Sequence, residues 1–434
     1  MCKWEVILMP MYSALKRFKD DSERSRVVKK LLLLRDQLDR QIPAKTATDT
    51  LLLATWNIRA FGDNRRAESI HYMAEIVSRF DLVAVQEVAA NLDGLQKLVA
   101  LLGPNWDYIV TDSTEGTAGG GERTAFIFDR CKVFFRKMAG KIVLPDTKLV
   151  DGKWQFARTP FCVAFQAGWF RFILTTVHVY YGTSSSEDAR RVAEIDAIAK
   201  FLIARANKEN ESYILLGDFN IFKHSDATMK ALEQGVDKNG VPKGFYIPQA
   251  IREHPTDLRQ TMFYDQIAFK LKLDNNMTVF SEGQQKAGAF DFTESVYTPN
   301  DLSVYVKYFD EKYTKDKTEK QITTYYMTNW RTFEMSDHLP LWIELKIDFS
   351  NQFLQNIPVI DDEKTVSTAN TQESTPPTPS ATTTATSPCI GTKTSKTFHL
   401  TTCRSVPTEQ NRVHFDSQQA ALDAGYKPCG ICKP

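Results

Sequence analysis

The distribution of apolar residues predicts buried strands that alternate with helices. Short apolar runs without a helical period, bounded by turn residues, are typical of strands that are buried on both faces. A helical period is found at Arg24–Ile42, Ser69–Phe80 and Glu187–Ala206. Two strand segments meet near Gly168 in the manner of a hairpin, so we expect a pair of mixed β-sheets with helices outside. The predicted strands are Thr50–Ile58, Leu82–Gln86, Arg123–Asp129, Phe161–Gln166, Trp169–Val179, Tyr213–Asn220, Met262–Lys270 and Leu339–Ile347.

The run Tyr213–Asn220 carries two polar residues at its carboxyl end. Asp218 and Asn220 are two residues apart, so on extended backbone their side chains would point the same way. Open sheets usually keep their functional sites at this end of their strands. The alternative is that both residues cap the helix predicted at Ser225–Leu232.

Polar residues recur at the ends of the other apolar runs. Carboxylate and amide oxygens suit a hard ion such as Mg²⁺ or Ca²⁺, and histidines suit proton transfer or charge stabilisation near neutral pH. Each residue alone has an ordinary structural explanation, but the set fits metal-assisted hydrolysis of a phosphate ester. The set is Asn57, Glu87, His178, Asp218, Asn220, Asp265, Asp337 and His338.

The length and composition predict several domains. The 434 residues carry a net charge of +1, so no global field attracts nucleic acid and any such surface must be local. Thr, Ser and Pro dominate Lys364–Pro388, which is typical of a flexible linker. We therefore expect a helical extension at 1–49, a catalytic domain at 50–348, a linker at 349–388 and a small module at 389–434.

The first residues and the carboxyl-terminal cysteines predict the cellular compartment of the protein. Met1–Pro10 is too short to span a bilayer and lacks a clear cleavage site, and no other segment reads as a membrane span. Four cysteines, Cys389, Cys403, Cys429 and Cys432, crowd the last stretch, which favours metal binding in a reducing compartment. We expect a cytoplasmic protein with no membrane contact and no obligate protein partner.

The order of these motifs resembles the endonuclease/exonuclease/phosphatase superfamily over about Thr50 to Asp348, and its pancreatic-deoxyribonuclease branch in particular. The resemblance implies a four-layer α/β sandwich, with two packed mixed sheets between outer helices. The motifs are Trp56-Asn57-Ile58, Gln86-Glu87, Glu122-Arg123, Phe156-Ala157-Arg158-Thr159-Pro160, His178, Gly217-Asp218-Phe219-Asn220, Tyr264-Asp265-Gln266-Ile267 and Ser336-Asp337-His338-Leu339-Pro340.

The resemblance also implies roles for the polar residues. Glu87 would bind the catalytic divalent ion, which is Mg²⁺, Mn²⁺ or Ca²⁺, and Asn57 and Asp337 would help to hold the metal or the phosphate. Asp218 and Asn220 would position and activate the attacking water and bind the phosphate.

The remaining implied roles concern the histidines and an arginine. His338, oriented by Asp265, would be a general base or a charge stabiliser. His178, paired with Glu122, would assist the leaving oxygen, and Arg158 would contact a phosphate.

Two positions depart from the deoxyribonuclease pattern. Members of that branch commonly place an Arg two residues after the metal-binding Glu and a Tyr two residues before the paired Glu, where both enter the minor groove. Here those positions are Ala89 and Gly120. These two departures do not affect the residues expected to perform hydrolysis. They leave open how the protein would bind DNA.

The carboxyl-terminal stretch has the spacing of a zinc site. His399-x₃-Cys403 and Cys429-x₂-Cys432 supply four ligands of the type that closes a tetrahedral zinc centre. The alternative is four unrelated residues. The surrounding residues, such as Ala424-Gly425-Tyr426-Lys427-Pro428, resemble the zinc-binding domain of the Ada DNA-repair protein. In that family the first ligand is a cysteine that accepts a methyl group, so His399 predicts binding without methyl transfer.

Three functions fit these observations. The first is a divalent-metal-dependent DNA endonuclease, a hydrolase whose zinc tail helps to hold DNA near the active site. The second keeps the fold and hydrolyses a phosphorylated lipid or another small phosphoester. The third is a non-catalytic binding protein on the same fold.

Overall fold

The structure, a computed structural model, describes two separate units. The first falls within residues 1–359 and the second within residues 360–434. The described residues are 10–357 and 388–432, without 63, 115–119, 236–237, 239–242, 273–278, 281–285, 401–402, 404–406 and 430–431. Most of the predicted linker and part of the glycine-rich segment 116–121 therefore lie outside the described residues.

Two mixed β-sheets form the centre of the first unit. One sheet has the strand order β10-β11-β1-β2-β4-β3 and the other has the order β5-β6-β7-β8-β9. The predicted pair of mixed sheets is confirmed. The strands are β1 (Thr50–Phe61), β2 (Leu82–Val88), β3 (Trp106–Val110), β4 (Arg123–Asp129), β5 (Val133–Lys141), β6 (Phe161–Ala167), β7 (Phe170–His178), β8 (Ser212–Asp218), β9 (Asp265–Lys270), β10 (Ala287–Ala289) and β11 (Leu341–Lys346).

Helices cover the outer faces of both sheets. Residues that alternate along β1 enter different cores: Leu51 and Leu53 pack between the two sheets, whereas Leu52 packs with the helices on the other side. The helices of this unit are α1 (Asp21–Gln41), α2 (Ala67–Val77), α3 (Asp93–Leu102), α4 (Ala189–Glu209), α5 (Ala227–Glu233), α6 (Gln249–Arg252), α7 (Leu302–Tyr305), α8 (Glu319–Tyr325), α9 (Arg331–Glu334) and α10 (Ser350–Gln355).

The sheet topology brings distant segments to one edge. Strands β1 and β2 are parallel neighbours, and so are β7 and β8, so in each pair the carboxyl ends lie side by side. Strand β9 runs antiparallel to β8, and its first residue, Asp265, pairs with the last residue of β8, Asp218. Strand β11 is antiparallel to β1, which places the residues before Leu341 beside the end of β1.

The amino-terminal helix α1 packs on the domain that follows it in the chain. Val27, Leu31 and Leu34 are buried in the core formed with α2 and the outer face of the first sheet. In the part of the chain that the structure describes, no helix combines the length and the apolar character that crossing a membrane requires.

Several elements escape the hydrophobic pattern. Strand β5 lies at a sheet edge and exposes Phe134 and Phe135, so its sequence does not read as a buried run. Strand β3 and helix α3 were not predicted either. The first residues of the predicted linker form α10, where Phe353 contacts the ring of Trp169 at a centroid distance of 5.3 Å.

The geometry expected for Asp218 and Asn220 was wrong in one respect. Strand β8 ends at Asp218, and Asn220 has a left-handed backbone with a φ of 53°, so the two side chains do not project from one extended strand. They stay together because the Asp218 carboxylate accepts a hydrogen bond of 2.9 Å from the Asn220 N–H. The capping alternative is also wrong, because α5 begins at Ala227 and its N-cap residue is Asp226.

The described residues of the second unit form a small four-stranded sheet and the helix α11 (Gln418–Asp423). Its core contains Cys389, Phe398, Ala421 and Tyr426, and the ring of Tyr426 packs against Phe415 at 4.9 Å. So small a core needs additional support, which a bound metal would provide. The elements are β12 (Cys389–Thr392), β13 (Thr397–Leu400), β14 (Arg412–Phe415), α11 (Gln418–Asp423) and β15 (Lys427–Pro428).

A glycine allows strands β7 and β8 to lie close together near their carboxyl ends. Gly217 has a φ of 128°, and a Cβ at this position would lie 2.1 Å from the carbonyl oxygen of Val177. We predict that Gly217→Ala destabilises the unit by about 3 kcal/mol, because the backbone must shift in the middle of the sheet. Denaturant unfolding measures this change. Gly140→Ala on β5 is the control, since a Cβ there meets open space, and an equal loss in both variants would contradict the prediction.

Candidate active site

One carboxylate oxygen lies at the centre of the shared edge. Oδ2 of Asp218 accepts a hydrogen bond of 3.0 Å from the amide of Asn57. The same oxygen lies 3.5 Å from Nε2 of His178 and 3.8 Å from Nε2 of His338. Asp218 is almost completely buried. The structure thus surrounds one buried carboxylate with an amide and two imidazoles.

Asn57 connects the two sheets at this point. Its Nδ2 donates to Oε1 of Glu87, at the end of β2, and to Oδ2 of Asp218, at the end of β8, each at 3.0 Å. Glu87 also accepts a hydrogen bond of 2.8 Å from the N–H of Ala60. The pairing of β2 is irregular between Val85 and Val88, and Glu87 has a φ of 59°. Such a bulge redirects a side chain, and here it brings the carboxylate of Glu87 to Asn57.

His338 and Asp265 form a buried pair. Nδ1 of His338 lies 2.8 Å from Oδ2 of Asp265. Burial alone would lower the pKa of His338, but the charges of Asp265 and Asp218 and the hydrogen bond to Asp265 raise it well above its usual range. These contacts favour the protonated form of the imidazole, which suits charge stabilisation better than proton abstraction.

His178 belongs to a second pair on the other side of Asp218. Its Nδ1 lies 2.9 Å from Oε2 of Glu122, a suitable distance with a poor hydrogen-bond angle. Glu122 also receives two hydrogen bonds from Arg158, from Nε at 2.6 Å and from Nη2 at 3.2 Å. Burial alone would raise the pKa of Glu122, but His178 and Arg158 lower it to about 2. Arg158 is therefore committed in part to Glu122.

The other predicted residues lie at the rim and the wall of this edge. Asn220 donates a hydrogen bond of 2.9 Å from Nδ2 to the carbonyl of Val179. Asp337 is exposed, and its charge contributes to the raised pKa of His338. All eight polar residues predicted at strand ends thus fall in the same region, together with Glu122 and Arg158.

Two residues to which the sequence analysis assigned no role, Ser336 and Trp56, also hold the site together through hydrogen bonds. Ser336 donates to the carbonyl of Asn57 at 2.5 Å and accepts from the N–H of His338 at 2.9 Å. The indole of Trp56 donates to the carbonyl of His338 at 2.9 Å. Both residues lie in the motifs quoted in the sequence analysis. Their position next to predicted site residues was the only indication in the sequence that they support the site.

Glu194 is a further supporting residue. From the buried face of α4 its carboxylate accepts hydrogen bonds from the N–H of Ala157, next to Arg158, and from the N–H of Tyr180. Burial raises the pKa of Glu194. The sequence pattern did contain one indication of this role, because Glu194 places a carboxylate on the apolar face of a predicted helix.

The oxygen donors around Asn57 fit a divalent cation. Carboxylates cannot donate, so the amide of Asn57 must turn Nδ2 toward Glu87 and Asp218. This orientation leaves Oδ1 buried and without a hydrogen-bond partner among the described residues. A hard ion would satisfy this oxygen together with Glu87. Asp218, Asp265 and His338 also lie close enough to hold an ion, but the last two are bonded to each other.

The second unit brings its four predicted ligands together. His399, Cys403, Cys429 and Cys432 each place one ligand atom within 4.8 Å of the others, as a metal ion requires. Burial and hydrogen bonds with Cys403 and Cys429 raise the pKa of Cys432 to about 11, although the N–H of Leu400 opposes the effect. Crowded thiols of this kind need a cation before they ionise together, and this donor set fits zinc.

Thr392 orients the histidine of this cluster. Nδ1 of His399 faces Sγ of Cys403 at 3.6 Å, whereas Nε2 lies 3.2 Å from Oγ1 of Thr392. A ligand histidine usually has its second ring nitrogen fixed by such a partner. Nδ1 is therefore the nitrogen that would bind the metal.

The fold and the site define a class of hydrolases that act on phosphoester bonds. Residues 54–299 match the Endonuclease/Exonuclease/phosphatase family, and the chain belongs to this family. Residues 381–434 match the metal binding domain of Ada. Both resemblances stated from the sequence are confirmed.

Similar proteins include several deoxyribonucleases. A deoxyribonuclease of Thioalkalivibrio sp. (strain K90mix) is 30% identical over 210 residues, which cover 46% of this chain and 54% of that protein. Deoxyribonuclease-1 of Canis lupus familiaris is 30% identical over 182 residues, covering 39% of this chain and 60% of that protein. The matches thus span little more than half the length of these relatives.

One solved structure, the mannosyl-6-phosphatase of Bacteroides thetaiotaomicron, is 17% identical and covers 68% of this chain and 99% of that chain. Its TM-score is 0.43.

The pair of His338 and Asp265 generates a pH-dependent prediction. In Asp265→Asn, the pKa of His338 should fall towards its ordinary value of about 6.5, and turnover should fall roughly 100-fold. Because the folded-state pKa of the native residue is raised, its contribution to stability is complete below about pH 6.5 and is lost as the pH rises through the folded pKa. Titration of the histidine ring signals by NMR measures the shift.

Asp196→Asn is the control for this experiment, because that partly exposed carboxylate lies on α4 and pairs with Lys200. An unchanged titration of His338 in Asp265→Asn would contradict the assignment of the pair.

The contact between Thr392 and His399 generates a second prediction. Thr392→Val should weaken zinc binding about 10- to 100-fold, because the imidazole loses the partner that orients it. Competition with a chromophoric chelator measures the affinity. Thr397→Val is the matched control, since its hydroxyl donates to the carbonyl of Ser395. Equal affinities in the native protein and Thr392→Val would show that the contact has no role.

Proposed function

We propose that the protein is a divalent-metal-dependent endonuclease that hydrolyses phosphodiester bonds in DNA. The observation that carries the proposal is the environment of Asp218, where one buried carboxylate oxygen faces Asn57, His178 and His338. The similarity to deoxyribonucleases supports DNA as the substrate. Mg²⁺ is the proposed ion, held by Glu87 and Asn57 with Asp337 at the rim.

The residues around Asp218 divide the chemical work. Asp218 would orient the attacking water and accept its proton, while Asn220 helps to bind the phosphate. Protonated His338, held by Asp265, would stabilise the negative charge that builds on the phosphate oxygens. The metal would add to this stabilisation as a Lewis acid.

The opposite side of the site would serve the leaving group. His178 lies against Glu122, whose depressed pKa keeps a negative charge beside the imidazole. His178 would donate a proton to the leaving oxygen. Arg158 uses Nε and Nη2 for Glu122, so Nη1 is the part of its guanidinium that would meet a phosphate.

The second unit would contribute DNA binding through its own zinc centre. The match to the metal binding domain of Ada supports this assignment. A histidine in place of the first cysteine removes the methyl acceptor, so the proposed role is binding alone. A tethered second contact raises the local concentration of substrate without changing the chemistry.

A small phosphoester or a phosphorylated lipid is the second candidate substrate. Ala89 and Gly120 favour it, because no side chain that could enter the minor groove stands at either position. The same residues would then perform the hydrolysis on a smaller substrate. A non-catalytic role is the third candidate, and activity lost on substitution of His338 would exclude it.

The cysteines give conflicting indications of the compartment. The described cysteines of the zinc module are not in disulfides, as the predicted cytoplasmic location requires. Cys131, however, is disulfide-bonded, and disulfides persist mainly in oxidising compartments. The cytoplasmic location stays a prediction, and Cys131 argues against it.

Nicking of supercoiled plasmid tests the proposed activity. With Mg²⁺ the native protein should convert the plasmid to nicked circles, and Asp218→Asn should slow this conversion at least about 1000-fold because the orienting carboxylate is lost. Dialysis that removes Mg²⁺ is a better metal-free control than EDTA, which would also strip zinc. Asp196→Asn is the matched carboxylate control and should retain activity.

A duplex plasmid and a single-stranded circular DNA that both stay uncut in the presence of Mg²⁺ or Mn²⁺ would overturn the endonuclease proposal. Hydrolysis of a generic phosphodiester by the same preparation would then favour the small-substrate candidate.

A further inference from the structure

A row of aromatic rings leads from the catalytic centre to the surface. The ring of Tyr264 lies 5.4 Å from the imidazole of His338, and Phe222 lies 5.6 Å from Tyr264. Tyr181 follows at 6.3 Å from Phe222 and is 43% exposed. Burial, assisted by Tyr181 and nearby carboxylates that include Asp218, raises the pKa of Tyr264 to about 12. The row therefore begins beside the reacting groups and ends in solvent.

A second aromatic group includes Tyr180, the residue that precedes Tyr181 in the chain, and it holds a cation between two rings. The guanidinium of Arg190 lies 4.3 Å from the ring centre of Tyr180 and 5.2 Å from that of Trp154. Trp154 is 42% exposed, and the ammonium of Lys153 lies 5.5 Å from its ring. We call Tyr264, Tyr181, Tyr180 and Trp154, together with Arg190, the aromatic track.

The track is held in place from below. Buried Arg191 donates to the carbonyl of Tyr181 at 2.8 Å and to that of Ser185, and its guanidinium lies 4.7 Å from the ring of Phe222. Glu194 accepts from the N–H of Tyr180. These bonds fix the loop before a substrate arrives, which lowers the entropy cost of binding.

The loop is also tied directly to the catalytic strand. Val179, two residues before Tyr181, donates from its N–H to the carbonyl of Asp218 at 2.8 Å and accepts from the amide of Asn220 at 2.9 Å. The position of the rings is therefore fixed relative to the carboxylate that would orient the attacking water.

The chemistry of the track suits nucleobases that are free to stack. Exposed aromatic faces with interleaved cations are the usual way in which proteins bind single strands, because every base has a face to offer and every nucleotide a phosphate. Bases in a duplex are stacked on each other and present only their edges. Ala89 and Gly120 agree with this reading, since neither offers a side chain to the minor groove of a duplex.

We propose that the aromatic track stacks the bases of an unpaired DNA strand beside the scissile phosphate, so that the enzyme prefers single-stranded DNA to duplex. This inference rests on the proposed nuclease function and specifies the substrate. Tyr181 and Trp154 are the specificity-determining residues, because they present the most exposed rings of the track.

The test compares three fluorescent oligonucleotides: a single strand, the same strand in a duplex, and a single strand with abasic residues at its centre. With Mg²⁺ the full-length native protein should have the lowest KM for the base-bearing single strand. Tyr181→Ala combined with Trp154→Ala should raise that KM at least about tenfold, with kcat nearly unchanged, because two stacking contacts are lost. The KM for the duplex should change less than about twofold.

Two further variants separate stacking from general damage. Tyr181→Phe in the otherwise native protein should keep the preference, because the ring is retained. Trp169→Ala is the matched control, since this tryptophan is 49% exposed but contacts Phe353. The zinc module is present in every variant, so its contribution cancels. The proposal would be overturned if the native protein had an equal KM for the base-bearing and abasic strands. It would also be overturned if Tyr181→Ala combined with Trp154→Ala raised the KM equally for single strand and duplex.

Failure of the nuclease proposal would give a different result. If the native protein cleaves none of the strands, the proposed activity fails, and binding by Asp218→Asn is measured by fluorescence anisotropy. Tighter binding of the base-bearing strand that is lost with Tyr181→Ala and Trp154→Ala would still support the track. Equal binding of the three oligonucleotides would overturn it.

Discussion

The site depends on one amide that two carboxylates share. Asn57 belongs to one sheet and Asp218 to the other, so the hydrogen bond between them crosses the interface of the two sheets. Glu87 accepts from the same amide nitrogen. The distance between the proposed metal-binding residue Glu87 and the proposed water-orienting residue Asp218 is therefore set by how closely the sheets pack. That spacing is fixed by core rings such as Phe126 and Phe165, which meet edge to face at 5.6 Å.

The same constraint explains which parts of the site the sequence could predict. Apolar runs and the polar residues that follow them are local features, so the strand ends at Asn57, Glu87 and Asp218 were predictable from pattern alone. The contact of His338 with Asp265 joins residues 73 positions apart and depends on the register of β9 against β8. No local pattern contains that register, and only the family resemblance supplied the pair.

Supporting residues were the hardest to predict. Glu194 and Arg191 lie in an amphipathic helix where charged residues are ordinarily interpreted as solvated, yet both are buried and bonded to loop backbone. Thr392 is one threonine among several in its segment. Edge strand β5 was missed because one of its faces meets solvent. In each case the deciding information is a tertiary contact and not a propensity.

Ser336 bridges Asn57 and His338, which are far apart in the sequence, and this has a consequence for folding during synthesis. The groups that would cut a phosphodiester come from positions 57 to 338, so no shorter fragment contains them all. A growing polypeptide on the ribosome would hold an incomplete centre until its last central strand, β11, had been made and inserted beside β1. Long-range pairings of this kind form late and slowly. A potentially destructive activity would thus arise only when folding is complete.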